Sequence, residues 1–434
     1  MAIVSFIVSI FTFIASFISP YFETSSAPEN KADDFVPVMR FVAASDTHIQ
    51  TLGDVGCQRL SKMINAAYTY AENDNDYKNI DAFTFSGDIT DNGFFSSFAA
   101  FTAITDNEIR QGTERLAVVS KAHDSYTFGY GSLNVFSKMT NQEADFHKVI
   151  NGFHFIGISR SDTIFQYTKE QVDWLDKNIA EAVKENPDKP VFVFQHEHVL
   201  DTVYGSSKTD GWGLDTFSEV LNKYPQVVHI SGHSHFPAND PRAIWQDTFT
   251  ALNTGGLAYF ELAVDGKNGQ FPDGNDTMTQ ALIIEVDAQN RVLVRVFDVD
   301  AGKIIREFLI DNISEENKTK YNPEYRKENS SAPVFSENAE LKTETKNGKI
   351  YITTPEAKVS GDNEVFVYRF VIKNANGKEV HNSWKFSEYY FSEMPESITS
   401  DGILLLLKGT YTVSVFAEDV WGNISAPITT EISI

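Results

Sequence analysis

Val227-Val228-His229-Ile230-Ser231-Gly232-His233-Ser234-His235 is a short apolar run that breaks into a glycine and two histidines one residue apart. An apolar run of this length reads as a buried strand, and its end is where a ligand gathers in an open α/β sheet. The pattern recurs along the chain. Val38 to Ala44 stops at Ser45-Asp46, with His48 two residues on. Asp81 to Phe85 runs into Ser86-Gly87-Asp88, followed by Asp91-Asn92-Gly93. Leu116 to Val119 precedes His123-Asp124, and Pro190 to Phe194 precedes His196 and His198. Phe153 to Ile158 is a further strand, and Ala281 to Val286 with Val292 to Val299 reads as a hairpin. Between them lie helical spacings. Arg59 to Glu72 places Leu60, Ile64, Ala67 and Tyr68 on one face, and Lys169 to Val183 does the same with Val172, Leu175, Ile179 and Val183. Strands alternating with helices predict an α/β layered domain.

Five strands that end in carboxylate or imidazole are costly to fold together unless an ion balances them. Asp and His without thiolate favour Mn, Fe or Zn over an iron–sulfur cluster or a calcium cage. A carboxylate can bridge two such ions, and the ion pair can hold a phosphoryl group, generate hydroxide and stabilise the leaving oxygen. The single cysteine, Cys57, excludes a disulfide within the chain and a cysteine-based zinc site, and reads as a small buried hydrophobe.

Asp46-x-His48, Gly87-Asp88, His123-Asp124, His196 and Gly232-His233-Ser234-His235 resemble, in order and spacing, the motifs of calcineurin-like metallophosphoesterases. The resemblance covers Met39 to Asp311. It implies a two-sheet αββα sandwich and a pair of divalent metal ions (Mn, Fe or Zn). By motif, Asp46, His48 and His235 would hold one metal, His196 and His233 the other, and Asp88 would bridge them. His123 would act on the phosphoryl group or protonate the leaving group, so that His123 and Asp88 are the catalytic pair. One position departs from the pattern. The family's metal-binding Asn before the His-Asp pair is Ala122 here, which has no donor atom. Water or another side chain, with Asn92 the candidate, would complete the second site. Arg242, Tyr204 and Trp212 are candidate substrate contacts, Arg242 because a guanidinium grips phosphate with two donors, with an ordinary surface salt bridge the favoured alternative for Arg242 and core packing an equal one for the two aromatics. Trp245 is placed beside them, with core packing an equal alternative, and the acidic stretch Asp265 to Asp276 reads as a solvated loop because it lacks EF-hand spacing.

The remainder sets the context. Sixty acidic against 36 basic residues leave a net charge of −24 in 434 residues, which argues against binding along a nucleic-acid backbone. Ala2 to Ser19 is apolar or hydroxyl-bearing throughout, so residues 1–20 are expected to be a signal peptide or an N-terminal membrane anchor and the chain extracytoplasmic, secreted or surface-anchored. Residues 21–38 and 312–331 read as linkers, leaving 39–311 as the metallophosphoesterase domain. Residues 332–434 alternate in short runs, among them Lys349 to Thr353, Val365 to Lys373 and Tyr411 to Ala417, without helical spacing. This predicts a small all-β sandwich of fibronectin type III or immunoglobulin style, suited to a surface or glycan contact. Ala417 to Asn423 resembles a corner of bacterial fibronectin-like modules. The expected activity is metal-dependent hydrolysis of a phosphomonoester or phosphodiester, on a phosphorylated small-molecule or extracellular substrate. The alternatives are a pyrophosphate-bond hydrolase, or a catalytically impaired metal-binding surface or adhesion protein.

Overall fold

The computed structural model describes residues 34–160, 167–316, 318–404 and 407–434. The N-terminal apolar run lies outside the described residues. No helix among the described residues is long and apolar enough to cross a membrane. Phe35–Ile434 forms one compact unit.

Two six-stranded sheets stack face to face. In the first the order is Lys303–Ile310, Val292–Asp298, Gln280–Asp287, Pro37–Ala44, Ala82–Ser86, Glu114–Val118, with the last three strands parallel. The second runs Ile244–Gln246, Thr250–Asn253, Val227–Ser231, Val191–Phe194, Phe153–Gly157, Phe146–Ile150, parallel except at its two edges. Parallel strands covered on both faces read as unbroken apolar runs, which is why these segments stand out in the sequence. Met39, Phe41, Phe155, Phe192, Phe194 and Ile284 fill the layer between the sheets. The Phe41 ring meets Phe155 and Phe192 edge-on at 5.0 and 4.8 Å. Helices Val55–Asn73, Phe95–Glu108 and Ser132–Thr140 cover the outer face of the first sheet. Helix Lys169–Glu185 covers the second, started by a capping box between Thr168 and Gln171. The product is the expected αββα sandwich.

Two helices of the first layer escape a reading by periodicity. Phe95–Glu108 has no side-chain cap and carries Phe95 and Ala103 on the face opposite its buried Phe98, Ala100, Phe101 and Ile104, so no polar stripe marks it. Ser132–Thr140 is short and ends on Asn141 in the left-handed region.

The C-terminal region is all-β. A three-stranded sheet (Lys342–Lys346, Lys349–Pro355, Ser397–Thr399) faces a four-stranded antiparallel sheet ordered Glu379–Phe386, Val365–Asn374, Thr410–Asp419, Ile428–Ser433. Ile352, Phe370, Ile372, Val413 and Val415 are buried between them. The stretch 312–331, read from composition as a linker, carries helix Pro323–Glu328, with Lys318 and Arg326 buried. Lys318 donates to the carbonyls of Pro225 and Glu315, and Arg326 pairs with Asp362.

A shared core joins this region to the sandwich. Phe260, Leu262, Val264 and Met278 pack with Phe366, Val367, Phe386, Tyr389, Tyr390 and Trp421. Arg306 bridges to Asp362 and Glu364, and Arg369 to Asp265. The acidic stretch beginning at Asp265 is thus partly a docking edge, since Asp273 also meets Lys385. Fully burying a large apolar side chain stabilises by roughly 1.5–3 kcal/mol. Removing residues 312–434 is therefore expected to expose four such side chains on the sandwich, lower the melting temperature and cause self-association. Size-exclusion chromatography and thermal unfolding check this; a monomeric truncated chain with an unchanged melting temperature would show the junction to be dispensable.

Candidate metal centre

At the carboxyl ends of the two sheets the chain turns sharply. Asp46, His48, Asp88, His233 and His235 all have φ between 47° and 74°, the left-handed region that residues with a Cβ avoid. The loops are zipped by their own backbones. Asp46 N–H donates to Gly87 O, His48 N–H to Asp88 O and Ile49 N–H to Ile89 O, each at 3.1 Å. Across the sheets, Gly232 N–H donates to His196 O at 3.0 Å and His233 N–H to Asp46 Oδ2 at 3.1 Å. Gly87, at φ 85°, leaves no room for a side chain because a Cβ there would run into the His196 ring. Gly232 is equally constrained, by Ser45 and the Asp46 carboxylate.

These turns bring three groups of donors together: Asp46, His48, Asp88 and His235; Asp88, His196 and His233; and His48, Asp91 and His123. Within each group the donor atoms lie within 4.8 Å of one another. Asp88 belongs to the first two, as the bridging assignment requires. Two of the rings are oriented through their other nitrogen. A carbonyl oxygen only accepts, so His196 Nδ1–H donates to Ser86 O at 2.8 Å and His235 Nδ1–H to Tyr259 O at 3.1 Å. That leaves Nε2 of both rings turned inward, His196 to Asp88 Oδ2 and His235 to Asp46 Oδ1, each at 3.3 Å. His48 Nε2 lies 3.2 Å from His235 Nε2.

These contacts suit a cation. Asp46 Oδ1 and His196 Nε2 are buried without a hydrogen-bond partner. Burial disfavours a charged His196, yet the Asp88 carboxylate outweighs it and lifts the imidazole pKa to about 10. Asp88 itself is held well below the carboxylate range; burial opposes this, and His196, His48 and His123 overcome it. Burial pushes His233 and His235 down to about 4, leaving both rings neutral and able to donate a lone pair.

His123 stands at the open side, its ring 4.3 Å from His48. Nδ1–H donates to the Asp91 carbonyl at 3.0 Å, and Asp91 Oδ1 is 3.4 Å from both His123 Nδ1 and His48 Nδ1. Asp124 sits behind it, fully buried, accepting from Thr90 N, Thr90 Oγ1 and Ser120 N, with its pKa raised to about 6 by burial and by Asp88. Asp91 is the residue missing from the sequence-derived site. Its position three residues after Asp88 was visible, but a Gly-ended acidic turn reads equally as a loop. The neighbouring Asn92 turns its amide to Asp91 Oδ2 at 3.2 Å.

The weaker candidates divide. Trp212 packs edge-on against His233, centroids 4.9 Å apart, and belongs to the site's wall. Arg242 is gripped by Asp240 through Nε and Nη2 at 2.9 and 2.7 Å and lies 3.6 Å from the Tyr204 ring centroid and 4.8 Å from that of Phe366. Tyr204 donates its hydroxyl to Ala263 O. Both therefore serve the junction with the C-terminal region, because Asp240, two residues before Arg242, already occupies the guanidinium fork. Trp245 packs on Phe249, and Cys57 is buried. His198 is a buried strut: its two nitrogens meet Ser231 Oγ and Ser234 Oγ at 2.8 Å, on either side of Gly232-His233.

The αββα sandwich thus places a shared carboxylate between two nitrogen-rich groups at its strand ends, a donor set suited to a pair of cations. Residues 39–237 match the family model for the calcineurin-like phosphoesterase. Among solved structures, a purple acid phosphatase from yellow lupin (Lupinus luteus) seeds is 14% identical, with a TM-score of 0.47, over 66% of this chain and 55% of its own. The chain thus spans about half the length of that structure. A structure described as a myokine is 17% identical over 23% of this chain and 94% of its own, with a TM-score of 0.16. No curated protein matches the chain.

Gly232→Ala is expected to displace the Asp46 carboxylate and lower the metal content per chain while the fold, followed by circular dichroism, persists. Wild-type metal content in that variant would show that the loop tolerates a methyl.

Proposed function

We propose that this chain hydrolyses phosphomonoesters or phosphodiesters with two divalent cations, Mn, Fe or Zn, held by Asp46, His48, Asp88 and His235 on one side and by Asp88, His196 and His233 on the other. The observation that carries the reading is the inward-facing pair His48 Nε2 and His235 Nε2, 3.2 Å apart, beside the unpartnered Asp46 Oδ1. With His48 Nδ1 turned to Asp91 and His235 Nδ1–H to Tyr259 O, these two nitrogens and the carboxylate oxygen form a donor set that a positive centre would satisfy. Bound there, a divalent pair supplies Lewis-acid polarisation and a hydroxide nucleophile at neutral pH. The chain's own residues do the rest. Asp88 sets the spacing of the two sites. Asp91 and the backbone orient His123 through Nδ1, so that its imidazolium form would present Nε2–H to the departing alkoxide and be left as the neutral ring. Trp212 limits the space beside His233.

The reading extends to place: the apolar run Ala2 to Ser19 supports export or surface anchoring, and the C-terminal all-β region supports a fibronectin type III or immunoglobulin-like module making surface or glycan contacts. Fractionation of cells expressing the full chain separates these from a cytoplasmic protein.

Hydrolysis of an aryl phosphodiester and an aryl phosphomonoester with added Mn²⁺, with metal counted per chain, tests the activity. Asp88→Asn is expected to lose turnover and to lower the metal count more than any other single change. His123→Ala should keep its metal and lose about 10²-fold in kcat, the scale of one positioned proton donor. Undiminished turnover in either variant would remove the role assigned to that residue.

Ala122 favours a second reading, a metal-binding surface protein with impaired catalysis. It caps the short turn His123–Ser125 and offers only a methyl where an amide oxygen would complete the second site. A water ligand there lacks the advantage of a pre-positioned donor. Ala122→Asn should therefore tighten the weaker site and raise activity at low Mn²⁺, read from parallel metal titrations. Superimposable curves would mean that another group fills the position, and a wild type that binds one ion and never turns over would favour the second reading.

A further inference from the structure

A phosphoryl group seated on the Asp46–His48–Asp88–His235 cluster must carry its ester group out past the side chains on the open side. Those side chains are aromatic. Tyr259 stacks on the His235 ring, centroids 4.1 Å apart and 17° from parallel, and lies 5.9 Å from His48. Phe271 extends this surface 5.8 Å beyond Tyr259 and is 59% exposed. On the other flank Tyr126 lies 4.8 Å from His123 and is 63% exposed. Its loop is pinned beside the site, since Thr127 donates both its N–H and its hydroxyl to Asn92 O. Singly exposed apolar residues are ordinary, but large rings flanking one polar cluster mark a recognition surface.

We propose that the substrate is a phosphoester whose alcohol bears an apolar group, an alkyl chain or an aromatic ring, that lies between Tyr259 with Phe271 on one side and Tyr126 on the other. The inference rests on the phosphoester-hydrolase reading above and specifies its substrate class. A polar side chain beside this rim points the same way. Asp91, 3.4 Å from His123 and partly exposed, places a carboxylate at the mouth. A carboxylate there repels a substrate with a second anionic group, such as a nucleoside diphosphate, and leaves a neutral apolar tail undisturbed.

Esters that differ only in the tail test this on the full chain loaded with Mn²⁺. O-ethyl and O-octyl p-nitrophenyl phosphodiesters share one leaving group, and ethyl and octyl phosphate serve as the monoester pair. In whichever class is turned over, kcat/KM is expected to favour octyl at least tenfold, the effect of burying about two of its additional methylenes. Phe271→Ser and Tyr126→Ser, at exposed positions where folding is not at stake, should each shrink that octyl-to-ethyl ratio at least threefold. Phenyl phosphate competing more tightly than ethyl phosphate would extend the preference to rings. Equal kcat/KM for ethyl and octyl overturns the apolar-tail assignment, and a ratio untouched in both variants overturns its location at this rim. If none of the esters is hydrolysed with metal bound, the hydrolase reading falls instead. Calorimetry with octyl and ethyl phosphate then decides the rim, a tenfold preference for octyl supporting it and equal affinity overturning it.

Discussion

Asp46 and Asp88 are carboxylates without solvent; Asp88 draws His196 into its charged form, while Asp46 faces His235, a ring that burial keeps neutral. In a buried setting an anion with no counter-charge is among the most costly arrangements a chain can fold into. The rest of the sandwich is arranged around tolerating it. Ser45 and Ser120 hydroxyls donate to Asp46 and Asp88, His233 N–H donates to Asp46, and His198 spans two serines to hold the Gly232–His235 turn. None of these is a full positive charge. A divalent cation satisfies at one point what several neutral donors satisfy only in part, which is why the fold and the proposed chemistry are one problem.

Much of this was legible beforehand because parallel strands buried on both faces leave a simple mark. Val38 to Ala44, Val191 to Phe194 and Val227 to Ile230 are nearly unbroken apolar runs, and each stops at a residue that the site uses. The same logic fails where burial and polarity coincide. Arg40 lies in the middle of the first strand, fully buried, and is tolerated only because Asp74, Glu285 and the Tyr77 carbonyl surround its guanidinium. Those partners come from distant segments, so no local pattern announces them. Asp91 was missed for a related reason: its meaning depends on His48 and His123, which reach it only after folding. For Arg242 the phosphate-grip and ion-pair readings could not be separated, because a free guanidinium and one already claimed by Asp240 look alike in a sequence.

The junction between the sandwich and the C-terminal sheets shows how a compositional boundary differs from a physical one. Residues 312–331 have the polar texture of a linker, yet Arg326 is clasped by Asp362 and stacks on Trp421, its Cζ 4.7 Å from the ring. Tyr389 donates its hydroxyl to Asp240 in a fully buried setting, and the same carboxylate holds Arg242. Loops that leave the metal centre, including the one carrying Tyr204 and Trp212, are therefore braced from outside the catalytic sandwich.

The left-handed backbone at five of the site's residues has a consequence for how the protein responds to its surroundings. Holding a residue with a Cβ in that region costs on the order of 1–3 kcal/mol, and five such residues together approach the whole net stability of an ordinary domain. Strain of that size must be offset by something that exists only in the folded state. Where that something is a bound ion, stability becomes a function of ion activity in solution, rising with each decade of free metal by mass action. The same chain would then be robust in a metal-replete medium and fragile beside a chelator, without a single covalent difference between the two.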